Sequence, residues 1–153
     1  MLVLGGAQPR VFLDEGVLAW SSAEQAFLLG RAAEMLRGHW SVLGRVGPTE
    51  RQEIGELVIE QELLDSPPLF EEWWLGFGET IDRAGLLGCG DLHAALRVIA
   101  RDTGFPLAPD DPLIQLEQMP NGVRLLRFYL SSEFDRLSAA VGGGAAVAEP
   151  LRA

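Results

Sequence analysis

The sequence predicts an α+β domain, mostly α: four or five helices packed with one C-terminal β-hairpin, preceded by short N-terminal strands or an extended arm. Three observations carry that expectation. Apolar residues recur every three or four positions through several long stretches. Most of those stretches open on a helix-capping residue. One segment instead shows two apolar runs on either side of Pro120-Asn121-Gly122, a turn signal.

Taken in order, Met1 to Leu4 and Val11 to Leu13 are short apolar runs separated by Gly5, Gly6 and Pro9, the material of two short strands. The first helix opens at Ser21 or Ser22, because Ser21 with Glu24 and Ser22 with Gln25 both have capping-box spacing. It is predicted to run to His39, with Leu28, Ala32 and Met35 in one row and Leu29, Ala33, Leu36 and Trp40 in the next. A second helix follows Gly47 and Pro48, with Thr49 as cap and Gln52 as its reciprocal partner. It reaches Leu64, before Pro67 and Pro68, and its apolar side is Ile54, Leu57, Val58 and Leu64.

The third helix has Ser66 as cap and Pro67 in its first turn, and Phe70, Trp74, Phe77, Ile81 and Ala84 form its stripe. Gly76 and Gly78 lower its propensity, so a close neighbour or a bend is expected there. Gly85 to Gly90 reads as a glycine-rich loop, and a fourth helix starts at Asp91 and ends at Gly104. Its inner side is Leu92, Ala95, Leu96 and Ile99; His93, Arg97 and Arg101 lie outside. Leu113 to Gln118 and Val123 to Leu130 are the strands of the expected hairpin, and Ser131 or Ser132 caps a last helix through Val141.

At 153 residues, 48% of them hydrophobic, the chain is expected to bury a core of its own as one globular domain over residues 1–141. Residues 142–153 read as a flexible Gly/Ala tail. No apolar run is long enough to cross a bilayer, and Met1 to Gly6 lack the pattern of a secretory signal. With a lone Cys89, no internal disulfide can form, and the cytoplasm is the expected compartment.

The net charge of −10 is concentrated in one segment. Residues 50–82 hold ten acids, Glu50, Glu53, Glu56, Glu60, Glu62, Asp65, Glu71, Glu72, Glu79 and Asp82, against Arg51 alone, while the remainder is nearly neutral. Such a field repels phosphate backbones and anionic membranes and attracts basic partners. Direct nucleic-acid or membrane binding is therefore not expected; homo-oligomerisation is left open.

Candidate chemistry is sparse. Cys89 precedes a helix N-terminus with His93 one turn later, the layout of a thiolate and its base. The plainer reading, a small buried or loop thiol beside a surface histidine, is preferred because no catalytic motif surrounds the pair. His39 ends an apolar row and reads as a helix-end or core histidine rather than a ligand. Two histidines and one cysteine without metal-ligand spacing predict no metal site, and the absence of any phosphate-loop motif predicts no nucleotide cofactor. Trp73 and Trp74 are adjacent, and since consecutive helical residues point about 100° apart, both rings cannot face one core.

The stretch Ala84 to Leu130, with Gly85-Leu86-Leu87-Gly88, then Leu92 to Arg101, then Gly122-Val123-Arg124-Leu125, resembles part of the effector-sensing region of AraC-type regulators. The resemblance covers about a third of the chain, with no helix-turn-helix pair following it. It implies small-molecule sensing as an alternative function and carries over no residue roles.

Two functions are thus expected. The first is a non-catalytic binding module of the inhibitor, immunity or adaptor type, meeting a basic protein partner through Glu53, Glu56, Glu60, Glu71, Glu72, Trp73, Glu79 and Asp82. The alternative is a ligand-sensing domain with a pocket lined by Trp73, Trp74, Phe77 and Phe128.

Overall fold

The computed structural model describes residues 1–41, 43, 46–61, 63, 67–106, 116 and 119–145. Among them the chain runs β1 (Leu2–Leu4), β2 (Arg10–Phe12), a 3-10 turn (Glu15–Ala19), α1 (Ser22–Arg37), α2 (Pro48–Glu60), α3 (Pro67–Cys89), α4 (Leu92–Thr103), α5 (Pro120–Tyr129) and α6 (Ser132–Ala145). The protein is mostly helical with one small sheet, and the sheet lies at the N-terminus. Strands β1 and β2 pair antiparallel with Val3 opposite Val11. No helix of the described residues is long and apolar enough to cross a membrane.

The expected C-terminal hairpin is not there. Val123 to Leu130 falls in α5 and its end, and of Leu113 to Gln118 only Leu116 lies within the described residues, as a buried side chain. Pro120 occupies the first helical turn, where its missing N–H costs nothing and its fixed φ suits a helix, so the supposed turn starts α5 instead. The buried set of α5 is Gly122, Leu125 and Phe128, a three-residue spacing that puts one face on the core.

α1 begins as expected: the Ser21 hydroxyl accepts from the Glu24 amide while Glu24 accepts from the Ser21 backbone. It ends at Arg37, two residues early, where His39 turns the chain with a φ of 57° and the Trp40 amide reaches back to the Met35 carbonyl at 2.8 Å. His39 is exposed on that turn. α4 matches its expected caps, with Asp91 accepting from the Ala94 amide and Gly104 in the left-handed conformation. Leu92, Ala94, Ala95, Leu96, Val98, Ile99 and Ala100 are all buried, which makes α4 the central helix.

α3 is longer than expected, about 35 Å at 1.5 Å per residue. It continues through Gly85 and Gly88 to Cys89, because these glycines are where α1 and α3 cross. A Cβ on Gly85 would fall 2.8 Å from the Phe27 ring, so the helices meet backbone to ring. Gly76 and Gly78 face open space instead, contrary to the expectation of a close neighbour there. α6 likewise extends past Gly142, where the sequence suggested the tail begins, to Ala145.

Two buried clusters result. The larger gathers Phe27, Leu28, Leu86, Leu96, Leu125 and Phe128 from α1, α3, α4 and α5, with Phe134 and Leu137 of α6 packed against it. The smaller joins Val3 of β1 to Ala32, Met35 and Ile81, with Trp40 and Phe77 at its edge. α3 serves these clusters from Phe77 onward. Its first turns carry Phe70, Trp73 and Trp74 beyond them, and α2 packs there.

Candidate functional site: an acidic groove between α2 and α3

α2 starts one residue earlier than its expected cap. Gly47, in extended conformation, is the N-cap without a side-chain bond, and Pro48 takes the first helical position, so Thr49 is already inside the helix. Gly55 is buried on the inner side. A Cβ there would stand 3.0 Å from the Phe70 ring, so Phe70 lies directly on the α2 backbone and is itself buried. Ile54 and Val58 are half-buried as expected, but Leu57 is 56% exposed. Leu64 and the Ser66 cap lie outside the described residues.

Between the two helices runs a groove of about 660 Å³ whose walls include Arg51, Gly55, Glu56, Phe70, Glu71 and Trp74. Its floor is aromatic. Phe70 and Trp74 stand 6.0 Å apart, Trp74 and Phe77 6.2 Å, and Phe77 meets Trp40 edge-on at 5.4 Å, so the ladder is anchored in the smaller cluster. Of the adjacent tryptophans, Trp74 turns into the groove and Trp73 is 47% exposed, packed on Phe70 at 5.9 Å. Phe128 belongs to the larger cluster, edge-on to Phe134 at 5.6 Å, so the four-aromatic pocket expected from the sequence is not assembled.

The acids divide into two groups. Glu56 of α2 and Glu71 of α3 line the groove, and Glu53, Glu60 and Glu72 are exposed elsewhere on the same two helices. Arg51 pairs with Glu71 while its guanidinium carbon stands 5.2 Å from the Trp74 ring centroid. Glu79 and Asp82 belong elsewhere. Glu79 bridges to Arg124 of α5 at 2.7 Å and to Arg83 at 3.3 Å. Asp82 is 6% exposed, facing Arg31 of α1 at 3.1 Å, and Arg31 also pairs with Asp102 of α4. Asp82 is therefore withdrawn from the acidic outer surface, and the charge of half-buried Glu79 is paired. Burial, which Arg31 offsets only in part and Asp102 and Glu79 reinforce, pushes the Asp82 carboxyl up to about 6.

A second charged cluster, not anticipated from the sequence, ties α1 to α4. Glu24 is buried, yet its carboxylate accepts from the Ser21 amide and hydroxyl at 2.8 Å each, from Arg97 at 3.1 Å and from Arg101 at 2.7 Å. Burial alone would raise its pKa; those four bonds outweigh it and hold the group at about 2. Arg101 also stacks 4.5 Å from the Trp20 ring. The only sequence sign of this cluster was a pair of arginines one turn apart.

No hydrogen bond joins Cys89 to His93 among the described residues. Among the described residues the thiol's hydrogen-bond partners are backbone groups of Leu86 and Asp91, His93 is exposed, and burial pushes the thiol pKa up. A nucleophilic cysteine needs the opposite shift. No cluster of three or more His, Cys, Asp or Glu side chains among the described residues could hold a metal ion. No protein-family model matches the chain, no curated protein matches it, and no solved structure matches it.

Proposed function

We propose that this chain is a cytoplasmic, non-catalytic protein-binding module that engages a basic protein partner along the α2–α3 groove. The observation that carries the reading is the conjunction of an aromatic floor, Phe70 and Trp74, with the groove carboxylates of Glu56 and Glu71 and the further exposed acids Glu53, Glu60 and Glu72 on the same two helices. Exposed Leu57, Leu69, Trp73 and Leu75 extend the apolar surface on the same two helices. Apolar area of that kind inside a polar rim is the usual make-up of a protein interaction site, and a helix-lined groove suits an amphipathic partner segment. The acids then steer a basic partner to the groove and set its orientation. The unpaired thiol of Cys89 fits a reducing compartment.

A small-molecule reading is favoured by one observation, the groove volume of about 660 Å³, which lies in the range of ligand pockets. Charge reversal on the outer side of α2 separates the two: it leaves the aromatic floor in place but removes the attraction for a basic protein. The comparison with an equal reversal on α6 and the 3-10 turn is the test.

A further inference from the structure

We propose that Trp74 and Glu71 form a seat for a guanidinium group, held in the free protein by Arg51 and taken over by an arginine of the basic partner. The inference rests on the reading of the α2–α3 groove as a partner surface and names the side chain that enters it.

Arg51 is the single base among ten acids in residues 50–82, and its half-buried side chain lines the groove. Its guanidinium lies over the Trp74 ring at 5.2 Å and pairs with Glu71, while its Nε is buried with no hydrogen-bond partner among the described residues. An aromatic face beside a carboxylate suits a planar guanidinium better than the compact, strongly hydrated ammonium of lysine. The ring is fixed in place, with Phe70 at 6.0 Å, Trp73 at 6.2 Å and Phe77 at 6.2 Å around it.

The occupant is easily exchanged. Arg51 and Glu71 are both partly open to water, where such a pair is weak because solvent screens it. Replacing one guanidinium by another keeps the charge of the seat unchanged. Glu53, Glu56 and Glu60 stay exposed and attract any base, so discrimination between arginine and lysine falls to the seat.

Arg51→Met vacates the seat while keeping an apolar stem on Trp74. The probes are a short amphipathic helical peptide with leucines on one face and arginines on the other, and its all-lysine counterpart, titrated calorimetrically. The arginine peptide is expected to bind Arg51→Met about five- to tenfold more tightly than it binds the wild type, the scale of one cation–π contact, and the lysine peptide to gain less than about twofold. Trp74→Leu in the same background is expected to erase the difference between the peptides. Unchanged or weaker arginine-peptide binding by a helical Arg51→Met protein, equal gains for both peptides, or a preference that survives Trp74→Leu overturns the seat.

A measurement on the wild type does not depend on the variants folding. The Arg51 Nε–H resonance should move to the position of a solvent-exposed arginine when the arginine peptide saturates the protein, and an unmoved resonance overturns the exchange. If Glu53, Glu56 and Glu60 reversed to Arg abolish binding of both peptides while Arg51→Met changes nothing, the seat fails and the groove stands. If neither peptide binds any of these proteins, both fail.

Discussion

Gly30 of α1 and Gly85 of α3 stand back to back: a Cβ on Gly30 would fall 2.9 Å from the Gly85 Cα and 2.8 Å from the Ala84 carbonyl oxygen. Neither obstacle is a movable side chain, so the two helices must separate to admit even a methyl group. Gly30→Ala is therefore expected to lower stability by about 1–3 kcal/mol despite its better helix propensity. Gly76→Ala, which meets open space, should raise it by about 0.5–1 kcal/mol. Urea titrations of the two variants check the pair of signs.

Glu24 holds the start of α1 to the last turns of α4 through Ser21, Arg97 and Arg101. Its pKa is about 2 in the folded protein against an ordinary 4.5. The stability it contributes is present above about pH 4.5 and is lost as the pH falls through about 2. Glu24→Gln keeps the shape but not the charge, and should cost about 2 kcal/mol near neutral pH. The variant's melting temperature should also fall less steeply than the wild type's below pH 4.5.

Asp82 has the opposite sign. Its folded pKa of about 6 lies above the ordinary 3.8, so between these values the folded state keeps a proton that the unfolded state has released. Its contribution to stability is complete below about pH 3.8 and is lost as the pH rises through about 6. In Asp82→Asn this limb should vanish, leaving a flatter stability profile between pH 4 and 6 than the wild type's. A variant whose slope in that interval matches the wild type's would show that Asp82 is ionised throughout.

The Cys89 thiol, packed at the end of α3 with its pKa raised, should react slowly. Alkylation by iodoacetamide at pH 8 is expected to run at least about tenfold slower in the native protein than in urea. Equal rates would mean that the thiol is open and ionises readily.

The partner surface is tested by two triple variants of equal charge change. Reversing Glu53, Glu56 and Glu60 to Arg is expected to slow association with the basic partner by about tenfold or more at low ionic strength, and less at high salt. Reversing the exposed Glu15, Glu133 and Asp135 should change the rate far less. Equal slowing in the two folded variants would leave only general charge, and the groove would lose its role.

Much of this architecture was written locally. The capping box at Ser21, the Asp91 and Gly104 ends of α4 and the stripe from Phe70 to Ile81 could be read directly, because caps and apolar periodicity act over one or two turns. The acidic segment was legible by counting. What the chain alone did not settle was which part of each helix would be covered. Glu71 and Asp82 lie eleven residues apart on α3, about three turns, and so point in nearly the same direction around it. Glu71 is exposed on the first turns of α3, where α2 packs; Asp82 is buried because Arg31 of α1 crosses its side of the helix. Pro120-Asn121-Gly122 is a similar case. Its residues suit either a turn or a helix start, and Gly122 is held in α5 by Leu116, Leu96 and Met119, which leave no room for a side chain at that position. Periodicity determined the direction a residue faces; tertiary packing decided what it meets there, because burial depends on neighbours distant in sequence.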